Sequence, residues 1–263
     1  MIQQNLHCHT IFDDGTDTAE AMVNAAIAAG LTSIGICAHS PVQGESWCTS
    51  EENEPKFQAE LRRIKDKYRA QIEVFCGLEY DVRSARHFDG YDYIIASVHA
   101  LSVINVDNTI EDAQRVIALY GGADAAACAY FEQCARIADI AQASIVGHFD
   151  LLTKFDEQRR LYESGSRRYK DAAFAAMERL NAAGKIFEIN TGAISRGYRT
   201  TPYPAPELLR HLKAIGGRIT ISSDAHSAAA ICCDFEKAEA LAQSSGFSEL
   251  WQFNGNAFEA VRI

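Results

Sequence analysis

The chain has 263 residues, 48% apolar and 23% charged, a balance that supplies a sizeable core and excludes disordered and fibrous classes. Twenty-five basic against thirty-five acidic residues leave a net charge of −10, which argues against a broad nucleic-acid footprint. No apolar run approaches the ~18 residues of a membrane span, the first residues lack the pattern of a signal peptide, and eight cysteines without a C-x-x-C pair fit reduced, mostly buried thiols, so a cytoplasmic protein is expected.

Short runs rich in Ile, Val and aromatic residues alternate with helical patterns. The first strand is expected over 2–6. A helix follows, capped by Asp17 with Glu20 three residues on, its stripe Met22, Ala25, Ala26 and Ala29 ending at Gly30. A strand over 33–38, a helix over 54–69 and strands over 72–76 and 91–98 come next. Helices over 110–119 and 124–142 fill the long interval before a strand over 144–147. One helix over 157–183 leads to a strand over 186–190. Another over 206–215, with Pro206 in its first turn and Gly216-Gly217 as its stop, leads to a strand over 218–222. A helix over 234–243 and a strand over 249–253 complete the order. Repeated βα units imply a parallel sheet, closed as a barrel or doubly wound. No repeat, low-complexity tract or linker divides the chain, so residues 1–263 are expected to form one domain.

The strand ends carry the chemistry. His7-Cys8-His9 stands just beyond the first strand and His39 beyond the second; the third leads to Glu79, the fourth to His99 and the fifth to His148. The seventh runs into Asp224-Ala225-His226. In a parallel barrel the carboxyl ends of the strands meet on one face, so six of eight histidines converge on one mouth with Asp14, Glu79 and Asp224. Side chains two apart on an extended strand point the same way, so His7 and His9 can share a cation while Cys8 faces elsewhere. Imidazole with carboxylate suits zinc, iron or manganese, and a carboxylate can bridge two ions. Arg196 and Arg199 follow the sixth strand, where a guanidinium can clamp a phosphate; Trp47 and Tyr203 are candidates for the pocket wall.

Two known schemes begin with His-x-His after a first barrel strand. The amidohydrolase scheme needs a bridging lysine after a middle strand, and none follows. Along almost its whole length the chain instead resembles the PHP (polymerase and histidinol phosphatase) family. The matching motifs are His7 to Gly15, with Asp14 in the acidic position, then Ala38-His39-Ser40, Gly77-Leu78-Glu79, Ser97-Val98-His99, Gly147-His148-Phe149-Asp150 and Ser223-Asp224-Ala225-His226. Glu188-Ile189-Asn190-Thr191-Gly192, Arg196 and the segment from Pro202 to Leu208 are similar to the histidinol-phosphate phosphatase branch. Two positions depart: Ala38 replaces a common acid, and Asp13 a common serine.

The resemblance implies a distorted (β/α)7 TIM-like barrel, with the strand over 249–253 left outside it, and three divalent ions (zinc, iron or manganese). His7, His9, Glu79 and Asp224 would hold one ion, with Glu79 bridging to a second held by His99 and His148. Asp14, His39 and His226 would hold the third. The implied reaction is hydrolysis of a small phosphomonoester, L-histidinol phosphate in histidine biosynthesis, by in-line attack of a hydroxide that bridges two ions. Arg196 would bind the substrate, and Asp14 or His226 would protonate the leaving oxygen. Three divalent ions, three carboxylates and one hydroxide sum to +2, which suits a phosphate dianion. A nuclease or nucleotide phosphatase of the same family and a non-catalytic binding barrel are the alternatives; the expected partner is a small phosphorylated substrate, with no nucleic acid and no membrane.

Overall fold

A computed structural model describes residues 2–85 and 87–263. The first half comprises β1 (Gln4–Asn5), α1 (Ala19–Ala28), β2 (Ser33–His39), α2 (Glu54–Tyr68), β3 (Glu73–Asp81) and β4 (Tyr93–Ser97). A small hairpin, β5 (Ala100–Leu101) and β6 (Ile104–Asn105), precedes α3 (Ile110–Leu119), α4 (Ala123–Arg136) and β7 (Ile145–Val146). Then come α5 (Asp156–Arg159), α6 (Arg167–Ala182), β8 (Ile186–Asn190), α7 (Gly192–Ser195), α8 (Pro206–Ala214) and β9 (Arg218–Ser222). The chain finishes with α9 (Phe235–Ser244), β10 (Glu249–Phe253) and β11 (Phe258–Arg262).

Seven strands form one parallel sheet in the order β1-β2-β3-β4-β7-β8-β9. Past the last strands, Cys8 pairs with Ala225: His9 N donates to Ala225 O at 2.8 Å and Ala225 N to His7 O at 3.3 Å. The result is a nearly closed seven-stranded barrel. Strands covered on both faces need continuous apolar runs rather than alternation, and every residue of β2 is buried. Leu6, Cys37, Phe75, Tyr93, Ile95, Ile145 and Ile186 pack with Phe253 in one apolar cluster. Tyr93 fits there because Gly35 and Gly77 on neighbouring strands leave room; a Cβ on either would collide with its ring. As expected, β10 stays out of the barrel, pairing antiparallel with β11 and meeting β1 through the Gln4 side chain, which bonds both N and O of Phe253.

Several expected boundaries move for local reasons. The cap of α1 is Thr18, whose Oγ1 accepts from Ala21 N, while Asp17 accepts from Ala228 N. The helix expected over 124–142 ends at Arg136 and tightens into a 3-10 turn, Ile137–Asp139. The helix expected over 157–183 is two. Arg160 ends α5 in the left-handed region (φ 47°), Asp156 accepts from Leu161 N and Tyr162 N, and Ser166 caps a fresh start at Arg167. All eight cysteines are free thiols, and no described helix is long and apolar enough to cross a membrane.

Candidate metal centre

The carboxyl ends of the strands place all six histidines named above in one cluster. Because Cys8 is committed to the pairing with Ala225, the rings of His7 and His9 turn to the same side, 5.1 Å apart between centroids. Both Nε2 atoms face Glu79 Oε2 (3.1 and 3.3 Å) and Asp224 Oδ1 (3.7 and 3.4 Å). Glu79 lies at the centre: Oε2 also faces His39 Nδ1 at 3.0 Å, while Oε1 faces His148 Nε2 at 2.9 Å and His99 Nε2 at 3.2 Å. On the outer side, Asp14 Oδ1 lies 3.2 Å from His226 Nε2 and 3.5 Å from His39 Nε2. His211 is elsewhere, stacked on Phe174 at 3.8 Å.

These atoms form groups with the reach of metal sites. His9, Asp14, His39 and His226 make one, His7, His9 and Asp224 a second, and His39, Glu79 and His99 a third, the ligand atoms of each lying within 4.8 Å of one another. His7 Nε2, His9 Nε2, His39 Nδ1 and Glu79 Oε2 are buried without a hydrogen bond. Buried polar atoms are nearly always satisfied, so four orphans converging on one point fit cations. The nitrogen and oxygen donors suit zinc, iron or manganese.

Three further carboxylates orient the rings. His7 Nδ1 donates to Glu188 Oε1 at 2.6 Å, His9 Nδ1 to Asp13 Oδ2 at 2.8 Å, and His99 Nδ1 to Asp81 Oδ2 at 3.1 Å. Each bond leaves Nε2 free to ligate and raises ring basicity. Glu188 Oε2 also accepts from His148 N (2.9 Å), and Asp13 Oδ2 from His39 N (2.9 Å), so each ties two strand ends together. Asp13, where a serine is common, thus serves the ring of His9 and the backbone N of His39. Burial works against the charge of Glu79, Asp224, His7 and His99, yet the opposite charges win. Glu79 is held well below the ordinary carboxyl range by His7, His39 and His99, and Asp224 by Arg196 and His7. His7 is pushed well above 6.5 by Glu188, Glu79 and Asp224, and His99 is pushed to about 10 by Glu79 and Asp81.

Arg196 sits at the mouth, its Nη2 3.1 Å from Asp224 Oδ2. Its Nη1 lies 2.8 Å from His226 Nδ1, which is also 3.0 Å from Asp224 O. The two contacts need opposite tautomers. The one that frees Nε2 for a metal donates Nδ1–H to Asp224 O and releases Arg196 from His226. Arg199 is not at the site; it is buried and bonds Thr153 and Thr201. Tyr203 is core rather than wall, whereas Trp47 packs edge-on to His39 at 4.7 Å and lines the mouth. The cavity measures about 260 Å³, and Asp107, Lys154 and Tyr198 line it as well, none of them foreseen from sequence. Glu188 carried a signal, a charge inside the apolar run Ile186-Phe187-Glu188-Ile189; Asp81 and Lys154 carried none.

The chain is similar to known proteins. A probable histidinol-phosphatase from Deinococcus radiodurans is 27% identical over 241 residues, covering 84% of this chain and 85% of that protein. One from Schizosaccharomyces pombe is 25% identical over 207 residues, 74% and 67% of the two chains. The solved histidinol phosphate phosphatase of Lactococcus lactis, complexed with zinc, L-histidinol and phosphate, matches with TM-score 0.78 at 22% identity over 98% of each chain, a likeness of fold. The family model for the PHP domain matches residues 5–192, and the chain belongs to that family.

Proposed function

We propose that the chain is a metal-dependent phosphomonoesterase that hydrolyses L-histidinol phosphate to L-histidinol and phosphate, as in histidine biosynthesis. The observation that carries this reading is the set of orphaned imidazole and carboxylate atoms converging on one point beside a small cavity. At about 260 Å³ the cavity lies just below the usual ligand range of roughly 300–1,000 Å³, a size for a small monoester rather than a polymer. The names of the two curated relatives select the substrate.

Three ions are assigned: one to His7, His9, Asp224 and Glu79, one to Glu79, His99 and His148, and one to Asp14, His39 and His226. His9 and His39 each lie within reach of two groups. Bound divalent ions would neutralise phosphate oxygens and lower the pKa of a water toward roughly 7. Glu188, Asp13 and Asp81 hold His7, His9 and His99 in the tautomer that ligates. Arg196 takes a phosphate oxygen with the fork that His226 vacates. Of the two groups expected to protonate the leaving oxygen, Asp14 is unsuited. Burial raises its pKa, but His226 and His39 outweigh that and hold it well below the ordinary range. His226, with Nε2 given to an ion and Nδ1–H to Asp224 O, is unsuited as well, which leaves a water as the proton donor.

The test is phosphate release from L-histidinol phosphate beside aryl and sugar phosphates, a nucleotide and a short oligonucleotide. Enzyme stripped of metal and enzyme reloaded with zinc or manganese are compared. Strong preference for histidinol phosphate, lost on stripping and regained on reloading, is expected. Cleavage of the oligonucleotide, or equal slow turnover of all compounds, overturns the substrate. Turnover that survives stripping overturns the metal.

A further inference from the structure

Four acids line the catalytic cavity. Asp14, Glu79 and Asp224 belong to the metal-binding groups, and the fourth, Asp107, does not. Asp107 stands two residues beyond the β5–β6 hairpin, flanked by Asn105 and Asn108, which also line the cavity. Its neighbour is Lys154, just past the turn Leu151–Thr153. Lys154 Nζ donates to the backbone carbonyl of Asp107 at 2.7 Å and lies 3.3 Å from Oδ2. It also sits 4.6 Å from the centre of the Tyr198 ring.

Joining the hairpin to the turn needs only the carbonyl bond, the shorter of the two. The carboxylate is therefore surplus to that join, and Oδ1 makes no hydrogen bond among the described residues. The side chain keeps 23% of its surface exposed and lines the cavity, so its free oxygen can meet a cation there. Burial opposes its charge, but Lys154, then His99 and His148, keep it ionised below the ordinary carboxyl range. The substrate proposed above has the complementary shape. Its phosphate goes to the metal side, and an ammonium group hangs on the carbon next to the ester carbon.

We propose that Asp107 is a specificity-determining residue that accepts the ammonium group of the substrate through Oδ1, with Lys154 holding the carboxylate in place. The site then selects phosphate monoesters that bear a neighbouring ammonium group over those that lack it. The inference rests on the reading of the chain as a histidinol-phosphate phosphatase.

The experiment compares kcat/KM for L-histidinol phosphate and for its deamino analogue, 3-(imidazolyl)propyl phosphate, in the metal-loaded wild type, Asp107→Asn and Lys154→Met. Wild type is expected to favour the aminated compound by roughly 10- to 100-fold, the range of a charged hydrogen bond. Asp107→Asn is expected to bring the ratio toward one, and Lys154→Met to lower the preference in part, since the carboxylate remains but loses its anchor. An equal loss on both compounds in Asp107→Asn, with the ratio kept, gives Asp107 a structural role and overturns the inference. A wild-type ratio near one does so too, and a preference left whole in Lys154→Met overturns the part given to Lys154. Turnover of neither compound by wild type, with an aryl phosphate still cleaved, overturns the underlying reading instead and takes the inference with it.

Discussion

Replacing Glu188 by glutamine alters almost no volume and discriminates sharply between a passive core and an oriented metal site. Glu188 accepts from three donors: His7 Nδ1 on Oε1, and His148 N and Asn190 Nδ2 on Oε2. Glutamine has one oxygen. Placed where two donors meet it, the amide turns its NH2 toward His7 Nδ1, donor against donor. His7 escapes by moving its proton to Nε2, the atom that faces Glu79 and Asp224 and that ligation needs. Metal affinity should fall roughly 10- to 100-fold, the usual cost of removing a carboxylate behind a ligating histidine. Both side chains are fully buried, so the metal-free protein also loses a charge-assisted bond of about 1.5–3 kcal/mol without solvent to compensate. Chelator competition, metal content after dialysis and phosphate release measure the first effect, and thermal melting of the stripped protein the second. Full metal content, unchanged chelator resistance and wild-type turnover in Glu188→Gln would refute the reasoning.

His99, raised from 6.5 to about 10, sets a pH dependence in the stripped protein. The stability from its pairing with Glu79 and Asp81 is complete below pH 6.5 and is lost as pH climbs through 10. Ligation needs the neutral ring, so metal affinity should rise with pH from 6 to 9 with proton release; flat affinity in chelator competition contradicts this. Arg196→Lys should raise KM roughly tenfold and weaken inhibition by inorganic phosphate in parallel, because an ammonium cannot reproduce the fork; unchanged phosphate inhibition removes Arg196 from binding. At Gly192, an added Cβ would lie 2.6 Å from Asp224 Oδ2 and 2.8 Å from its Cβ. Gly192→Ala should therefore shift Asp224 and cut metal affinity at least tenfold, which metal analysis of the purified variant checks.

The inner candidate ligands were legible because strand pattern and residue type agreed. Apolar strand runs located the carboxyl ends, and histidines or acids stood at six of those ends, so His7, His9, His39, Glu79, His99, His148 and Asp224 could be placed together before any coordinate. What lay beyond them was not legible, for reasons of distance along the chain. Asp81 meets His99 across 18 residues and Glu188 meets His7 across 181, and no local pattern encodes such pairs. The cap of α1 was misread because Asp17 and Thr18 are both good capping residues, and the contact of Asp17 with Ala228 N, 211 residues away, decides between them. The helix over 157–183 was misread because charged residues stand on both sides of the break, Glu157 to Arg160 and Arg167 to Asp171, while the backbone stops at Arg160 and restarts at Arg167.

The outer carboxylates also change the electrostatic account of the site. With three inner carboxylates, three divalent ions and one hydroxide, the site would keep +2. Glu188, Asp13 and Asp81 each add a negative charge, which turns that sum to −1, and Arg196 returns it to zero. Attraction for a phosphate dianion therefore cannot come from net charge. It must come from position, because Coulomb energy falls with distance, and the outer carboxylates stand behind imidazole rings with their oxygens committed to Nδ1–H and backbone donors. A phosphate entering from the mouth meets the cation positions and Arg196 first. The same carboxylates make the rings more basic and hence better ligands, so this arrangement trades attraction at long range for grip on the ions at short range. On a chain of net charge −10 that trade makes binding depend on contact with the loaded site rather than on steering from solution. Ionic strength should accordingly alter the association of substrate only weakly.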